Sequence, residues 1–347
     1  MKKIALLLAV LLVASLFAGC GAKQEETVTL NVLNWGDYID ETMLAQFQQE
    51  YPNIKIKYST AASNEEMLIK LSAPDSIYDI CFPSDYTIEK MVAQDMLHEL
   101  NKGNIPNIKN IDERFLNLDF DPGNKYSVPY MWGTVGILYN TTIVTKPVTS
   151  WKILWDADYS GQILMYDSIR DTIGVTLKML GYSINTRDEA AIQAAQEALI
   201  QQKPLVKAYL DDPIKSTMIA GNGALAVVYS GDAVWCIDEN PDLAYAVPEE
   251  GSNLWFDNII IPKSSKHPAE AETFINFLCD AEVAKANTEY IGYSTPNAAA
   301  RELLDEEWLS DETYNPPQDV LDRCEVFRDL GDFVEVYNAA WNHVKAE

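Results

Sequence analysis

Basic residues are scarce in this chain: 26 Lys and Arg stand against 52 Asp and Glu in 347 residues. That balance argues against nucleic acid and anionic membrane surfaces as partners, and it suits either a cationic ligand or plain solubility. Histidine is scarcer still, with His98, His267 and His343 scattered among polar neighbours. The cysteines form no CxxC pair, and HExxH, Walker and GxGxxG motifs are all missing. Neither a transition metal nor a nucleotide cofactor is expected. Cys81 and Cys279 lie in apolar stretches, where a free thiol acts as a small hydrophobe, and the sequence does not pair Cys81, Cys236, Cys279 and Cys324. Long apolar runs are absent too: Ile4 to Leu12 is too short to span a bilayer. There is no short internal repeat, low-complexity tract or long flexible linker.

The short apolar run has a purpose. Lys2 and Lys3 precede it and "SLFAGC" follows, which is the anatomy of a secretory signal. The small-small-Cys ending resembles a bacterial lipobox, with Phe17 where such boxes usually carry Leu. Residues 1–19 then form the signal peptide, Cys20 the lipidated first residue and 20–26 the tether. An ordinary cleaved signal with an incidental cysteine is the alternative. Without Lys2 and Lys3 the chain keeps 24 basic residues against 52 acids, a net charge of −28.

Strand-like and helix-like segments alternate along the rest, the pattern of an α/β protein. Val28, Leu30 and Val32 alternate with polar residues. A helix follows with Asp40 as N-cap, and Pro52 stops it. "SNEEM" reads as a capping box of Ser63 with Glu66, and "TRDE" as a second one of Thr186 with Glu189. "YDICF", "ALAVVY" and "NIIIP", the last after Asp257, read as buried strands. With no tether in sight, two lobes would be joined by chain crossings, placed at 133–140 and 258–265. Lobe 1 would hold 27–137 and 259–302, and lobe 2 would hold 138–258 and 303–347.

In open α/β sheets, ligands sit beyond the carboxyl ends of strands. Those ends read Trp35-Gly36-Asp37-Tyr38, Pro83-Ser84-Asp85-Tyr86, Tyr229-Ser230-Gly231-Asp232 and Trp255-Phe256-Asp257. Each supplies an aromatic with an acid nearby. An alkyl amine needs an apolar slot for its methylenes, which gain roughly 25 cal/mol per Å² on leaving water. Its ammonium groups need carboxylates to replace lost hydration, and ring faces attract them by about 0.5–2 kcal/mol each. Trp35, Tyr38, Tyr86, Tyr229, Trp255 and Tyr293 could wall such a slot, with Asp37, Asp171, Asp232 and Asp257 as charges and Ser84 as a hydroxyl acceptor. Asp257 is the hardest to explain otherwise, since an acid between Phe256 and an apolar strand is costly unless paired. Asp85 reads as the solvated start of a helix.

The segments "NWGDYI", "YSTAASNEEMLIKL", "YDICFPSDYTIEKM", "FDPGNKYSVPYMWGT", "SWKILWDADYSGQILMYDSIRD", "LGYSINT", "WFDN" and "IGYSTPNAAARELL", in this order, resemble the spermidine/putrescine-binding proteins of bacterial ABC importers. The likeness covers essentially the whole mature chain. It implies a two-lobed type II periplasmic-binding-protein fold that closes on a polyamine, with no enzyme activity and no cofactor. It further implies delivery to an ABC permease from an extracytoplasmic, lipid-anchored monomer, with no nucleic-acid partner. Trp35, Asp37, Tyr38, Ser84, Tyr86, Asp171, Tyr229, Asp232, Trp255, Asp257 and Tyr293 fall on the family's binding positions. Ser168 stands where spermidine-preferring members often carry a second acid, Tyr229 where Trp is usual, and Phe327 where some members have an amide. Asp37 is one methylene shorter than the usual Glu, and "SGD" with Asp232 looks like putrescine-preferring members. Both polyamines stay open, with a slight lean to putrescine being bound at least as well as spermidine. A sugar-binding protein of the same fold is the rival, though it would favour Asn, Gln and Arg over this many acids. A glycoside hydrolase would need a marked acid–nucleophile pair, and none is evident.

Overall fold

The structure, a computed structural model, describes residues 27–347; the signal, Cys20 and tether expected at 1–26 lie outside them. The alternation at the start becomes β1 (Val28–Asn34), which buries Leu30, Val32 and Leu33. After it runs α1 (Glu41–Glu50), capped by Asp40, which accepts from the Thr42 N–H at 2.8 Å. Then come β2 (Ile54–Thr60) and α2 (Asn64–Ser72), opened by Ser63 accepting from the Glu66 N–H at 3.1 Å. β3 (Ile80–Cys81) leads directly into α3 (Asp85–Ala93). β1 is flanked by β2 and β3, both parallel to it.

β4 (Ser127–Asn140) is nearly all buried. Beyond it lie β5 (Ile163–Tyr166), α4 (Ile169–Met179), α5 (Glu189–Gln202), β6 (Val206–Leu210), α6 (Pro213–Ile219), β7 (Leu225–Tyr229), α7 (Ser230–Glu239), β8 (Leu243–Ala246) and β9 (Leu254–Ile260). One-turn helices aside, α8 (Pro268–Leu278), α9 (Ala281–Ile291) and α10 (Val334–Ala346) complete the chain. The strand order is β2-β1-β3-β9-β4-β7-β5-β6, with β8 also pairing β4. The fold class is α/β, as the alternation of elements predicts.

β4 joins the two halves of this sheet. Its residues 127–134 pair antiparallel with β9, while Val135–Tyr139 pair with β7 and Ile137–Asn140 with β8. The change of partner falls at Thr134–Val135, where the Val135 N–H donates to the Asn253 carbonyl at 3.1 Å. β9 pairs with β3 and with the first part of β4, and residues 258 and 259 both lie inside it. β9 also starts earlier than the apolar run "NIIIP" indicates, at Leu254. Trp255 and Asp257 are therefore inside a strand, on one face of its pleat, and do not follow a strand end.

The second capping box is displaced as well. α5 starts at Glu189 with Asp188 as N-cap, accepting from the Ala190 N–H at 2.9 Å, and Thr186 only braces the Asp188 N–H. Asp188 wins because its short carboxylate reaches the second helical N–H. Among the described residues Cys81, Cys236, Cys279 and Cys324 are all free, and burial pushes the thiols of Cys236 and Cys279 up to about 12.

Candidate ligand-binding site

The carboxyl ends of β1, β3, β5 and β7 meet the face of β9 where the two sheet halves join. Asp257 is the anchor on the first half. Tyr38 donates its hydroxyl to Oδ2 at 2.8 Å and Ser84 donates to Oδ1 at 2.6 Å. Ser84 is fixed in turn by Asn64, which donates to its hydroxyl at 3.0 Å and accepts from its N–H at 3.0 Å. Asp257 is 6% exposed. Burial raises its carboxyl to about 6 against the opposing pull of the Ser84 and Tyr38 hydrogen bonds.

On the second half Asp171, in the first turn of α4, accepts from Ser168 at 2.6 Å and from Tyr229 at 2.8 Å, both on Oδ2. Its Oδ1 is buried and has no donor among the described residues. Burial again raises the carboxyl, and the two hydroxyls oppose it. Asp232, at the start of α7, accepts from Tyr166 at 2.8 Å, and its other oxygen lies 3.6 Å from Lys215 Nζ.

Rings link these acids. Centroids of Tyr38 and Tyr293 are 5.7 Å apart, Tyr293 and Trp255 5.0 Å, Trp255 and Tyr229 5.9 Å, and Tyr229 and Tyr166 4.8 Å. The first three pairs meet edge to face, the arrangement aromatic quadrupoles prefer. Two glycines let this wall form. A Cβ on Gly133 in β4 would lie 2.6 Å from the Trp255 ring, and one on Gly231 would fall inside the Tyr293 ring. The indole Nε1 of Trp255 is another buried polar atom without a partner among the described residues.

The structure thus brings together Tyr38, Ser84, Asp171, Tyr229, Asp232, Trp255, Asp257 and Tyr293. Trp35 is half-buried, with its indole N–H tied to the Phe82 carbonyl at 2.8 Å beside the Ser84 turn. Tyr86 borders the cluster from α3, its hydroxyl 3.4 Å from Glu65 and its ring 5.4 Å from the Arg170 guanidinium. Asp37 is not drawn in: it sits exposed in the turn after β1 with φ +48. Asp85 corrects the solvated reading. It is fully buried and accepts the Phe256 N–H at 3.0 Å, and burial pushes its carboxyl to about 8 against that bond.

Sequence reasoning passes over Tyr166, Lys215, Arg170 and Asn64. Tyr166 ends β5, so the strand-end rule that finds the others applies to it unchanged. Arg170 is buried, donates to the Arg328 carbonyl and to Asn185 at 3.2 Å each, and lies 4.3 Å from the Phe327 ring. Phe327 does not act as a polar group would at this position; its ring is the floor under that guanidinium.

The site thus lies in a two-halved α/β fold, with acids and rings enclosed where the halves join. The chain belongs to the bacterial extracellular solute-binding protein family, which it matches over residues 42–316. Within that family it is similar to the spermidine/putrescine-binding periplasmic protein of Salmonella typhimurium, 37% identical over 327 residues that cover 94% of each chain. Among solved structures, a candidate spermidine/putrescine ABC transporter protein of Listeria monocytogenes is 44% identical with a TM-score of 0.88, over 91% of this chain and 98% of that one. The spermidine/putrescine ABC transporter substrate-binding protein of Streptococcus pneumoniae is 40% identical with a TM-score of 0.80, over 91% and 99%.

Proposed function

We propose that this protein captures putrescine or spermidine outside the cytoplasm and delivers it to an ABC importer, held at the membrane through a lipid on Cys20. One observation carries the ligand class. Carboxylates on opposite halves, Asp257 and Asp171, are enclosed by a continuous line of rings and held by neutral hydroxyls, which fix them without cancelling their charge. A slender dication supplies both the charge and the apolar stem that such a slot lacks. The relatives named for spermidine and putrescine support the same reading. Titration calorimetry with putrescine, spermidine and maltose tests it: micromolar or tighter binding of a polyamine is expected, and heat from maltose alone would reject it.

Strand pairing supports lobes of 27–134 with 254–302 and 135–253 with 303–347, hinged where β4 changes partner. Each acid is then held by its own lobe, so ligand is what ties them, the arrangement needed for hinge closure. Ion pairs from one arginine also cross the cleft. Arg328 grips Glu89 of α3 through Nη2 at 2.6 Å and Nε at 3.1 Å, and reaches Asp119 at 3.2 Å. A forked Arg–carboxylate contact of this exposure contributes about 1 kcal/mol. Arg328→Ala should therefore weaken polyamine binding about threefold to fivefold and enlarge the radius of gyration of the empty protein in solution scattering. An unchanged radius and affinity would remove the latch role.

A further inference from the structure

Among the described residues, Asp232 is the one acid of the site at ion-pair distance from a lysine or arginine. Lys215, in α6, places Nζ 3.6 Å from Asp232 Oδ1, and Asp212 at 2.6 Å together with the Trp235 ring at 5.5 Å holds it there. Tyr166 takes the other oxygen of Asp232. Both oxygens are thus engaged, one of them by an ammonium. By contrast Asp257 is held by hydroxyls alone, and Asp171 keeps one oxygen without a donor.

The charges enclosed at the junction can be set against one another. Asp85, pushed to about 8 by burial, is the neutral acid at pH 7, Asp232 is offset by Lys215, and Arg170 donates to the Arg328 carbonyl and to Asn185 rather than to a carboxylate. Two carboxylates, Asp257 and Asp171, remain without a Lys or Arg at ion-pair distance among the described residues, each held by hydroxyls. Glu65 stands at the rim beside Tyr86, in contact with solvent. Putrescine carries two ammonium groups and spermidine three. We propose that Lys215 is a specificity residue: it supplies a built-in ammonium at the Asp232 end, so that the site is matched to a dication and a third ammonium arriving there meets like charge. This rests on the polyamine reading given above and adds to it the means of choosing among amines.

Lys215→Met keeps most of the aliphatic stem and removes the charge. It should raise the spermidine-to-putrescine affinity ratio about fivefold or more over the wild type, by calorimetry at fixed salt. Lys215→Arg should leave the ratio where it was. Should circular dichroism show the Met variant unfolded, Lys215→Gln carries the same expectation. A ratio that does not move overturns the proposal. So does a parallel fall in both affinities, which would make Lys215 a support for Asp232 and nothing more. A wild-type protein that binds neither amine overturns the polyamine reading itself, and is thereby told apart from a failure of Lys215 alone.

Discussion

Asp257→Asn should lower polyamine affinity about a hundredfold or more while the melting temperature of the empty protein moves by only a few degrees. Removing one partner of an enclosed, hydrogen-bonded charge pair costs about 2–5 kcal/mol of binding, and a hundredfold is about 2.7 of that. In the empty protein two effects oppose each other. The amide can accept from only one of Tyr38 and Ser84, and its NH2 then faces the other hydroxyl, a loss of roughly 1–3 kcal/mol. Against this, a carboxylate that burial already disfavours is no longer present. Calorimetry and thermal unfolding of the same preparation separate the outcomes. A collapse of the melting temperature with binding intact would make Asp257 a fold residue, and the ligand would have to be sought elsewhere in the cleft.

Much of this site is legible in the sequence alone, because ligands gather at strand ends. β1, β3 and β7 each end where the apolar pattern ends, so position by itself singles out Tyr38, Ser84 and Tyr229. Asp257 is singled out for a partly mistaken reason. An acid in mid-strand opposes strand propensity, so "WFDN" looks like the approach to β9 when it is β9, held there by its antiparallel pairing with Pro129–Thr134 of β4. Gly133 and Gly231 are legible in principle, since a glycine in or just after a buried strand signals close approach of another group. Asp85 and Asp37 are not. Whether an acid at a turn faces water or a distant backbone N–H depends on how the turn projects, and local pattern carries no record of that. Lys215 leaves no trace either: a lysine after Pro213 reads as surface until the packing of α6 against α7 sets it over Asp232.

The pH dependence of binding follows from the same enclosure. Burial holds the folded-state value of Asp257 near 6, above that of a free carboxyl. Between about pH 4 and 6 the native protein keeps a proton that the unfolded chain has lost. The contribution of this group to the stability of the empty protein is therefore fully present at low pH and falls as pH rises through that window. Binding runs the other way. The ligand amines stay protonated throughout, with values near that of lysine, whereas Asp257 must give up its proton to serve as their counter-charge. Affinity for putrescine should thus rise about tenfold from pH 5 to pH 7, the change in ionised fraction for one group of pKa 6. Asp171 and Asp232 are raised in the same direction and can only steepen the rise. Calorimetry in two buffers of different ionisation enthalpy at pH 5.5 should also register proton release on binding. In Asp257→Asn both the release and the slope should shrink by the share of one group. An affinity flat across this range would mean that Asp257 is already ionised at pH 5, and that its two hydroxyl donors outweigh its burial.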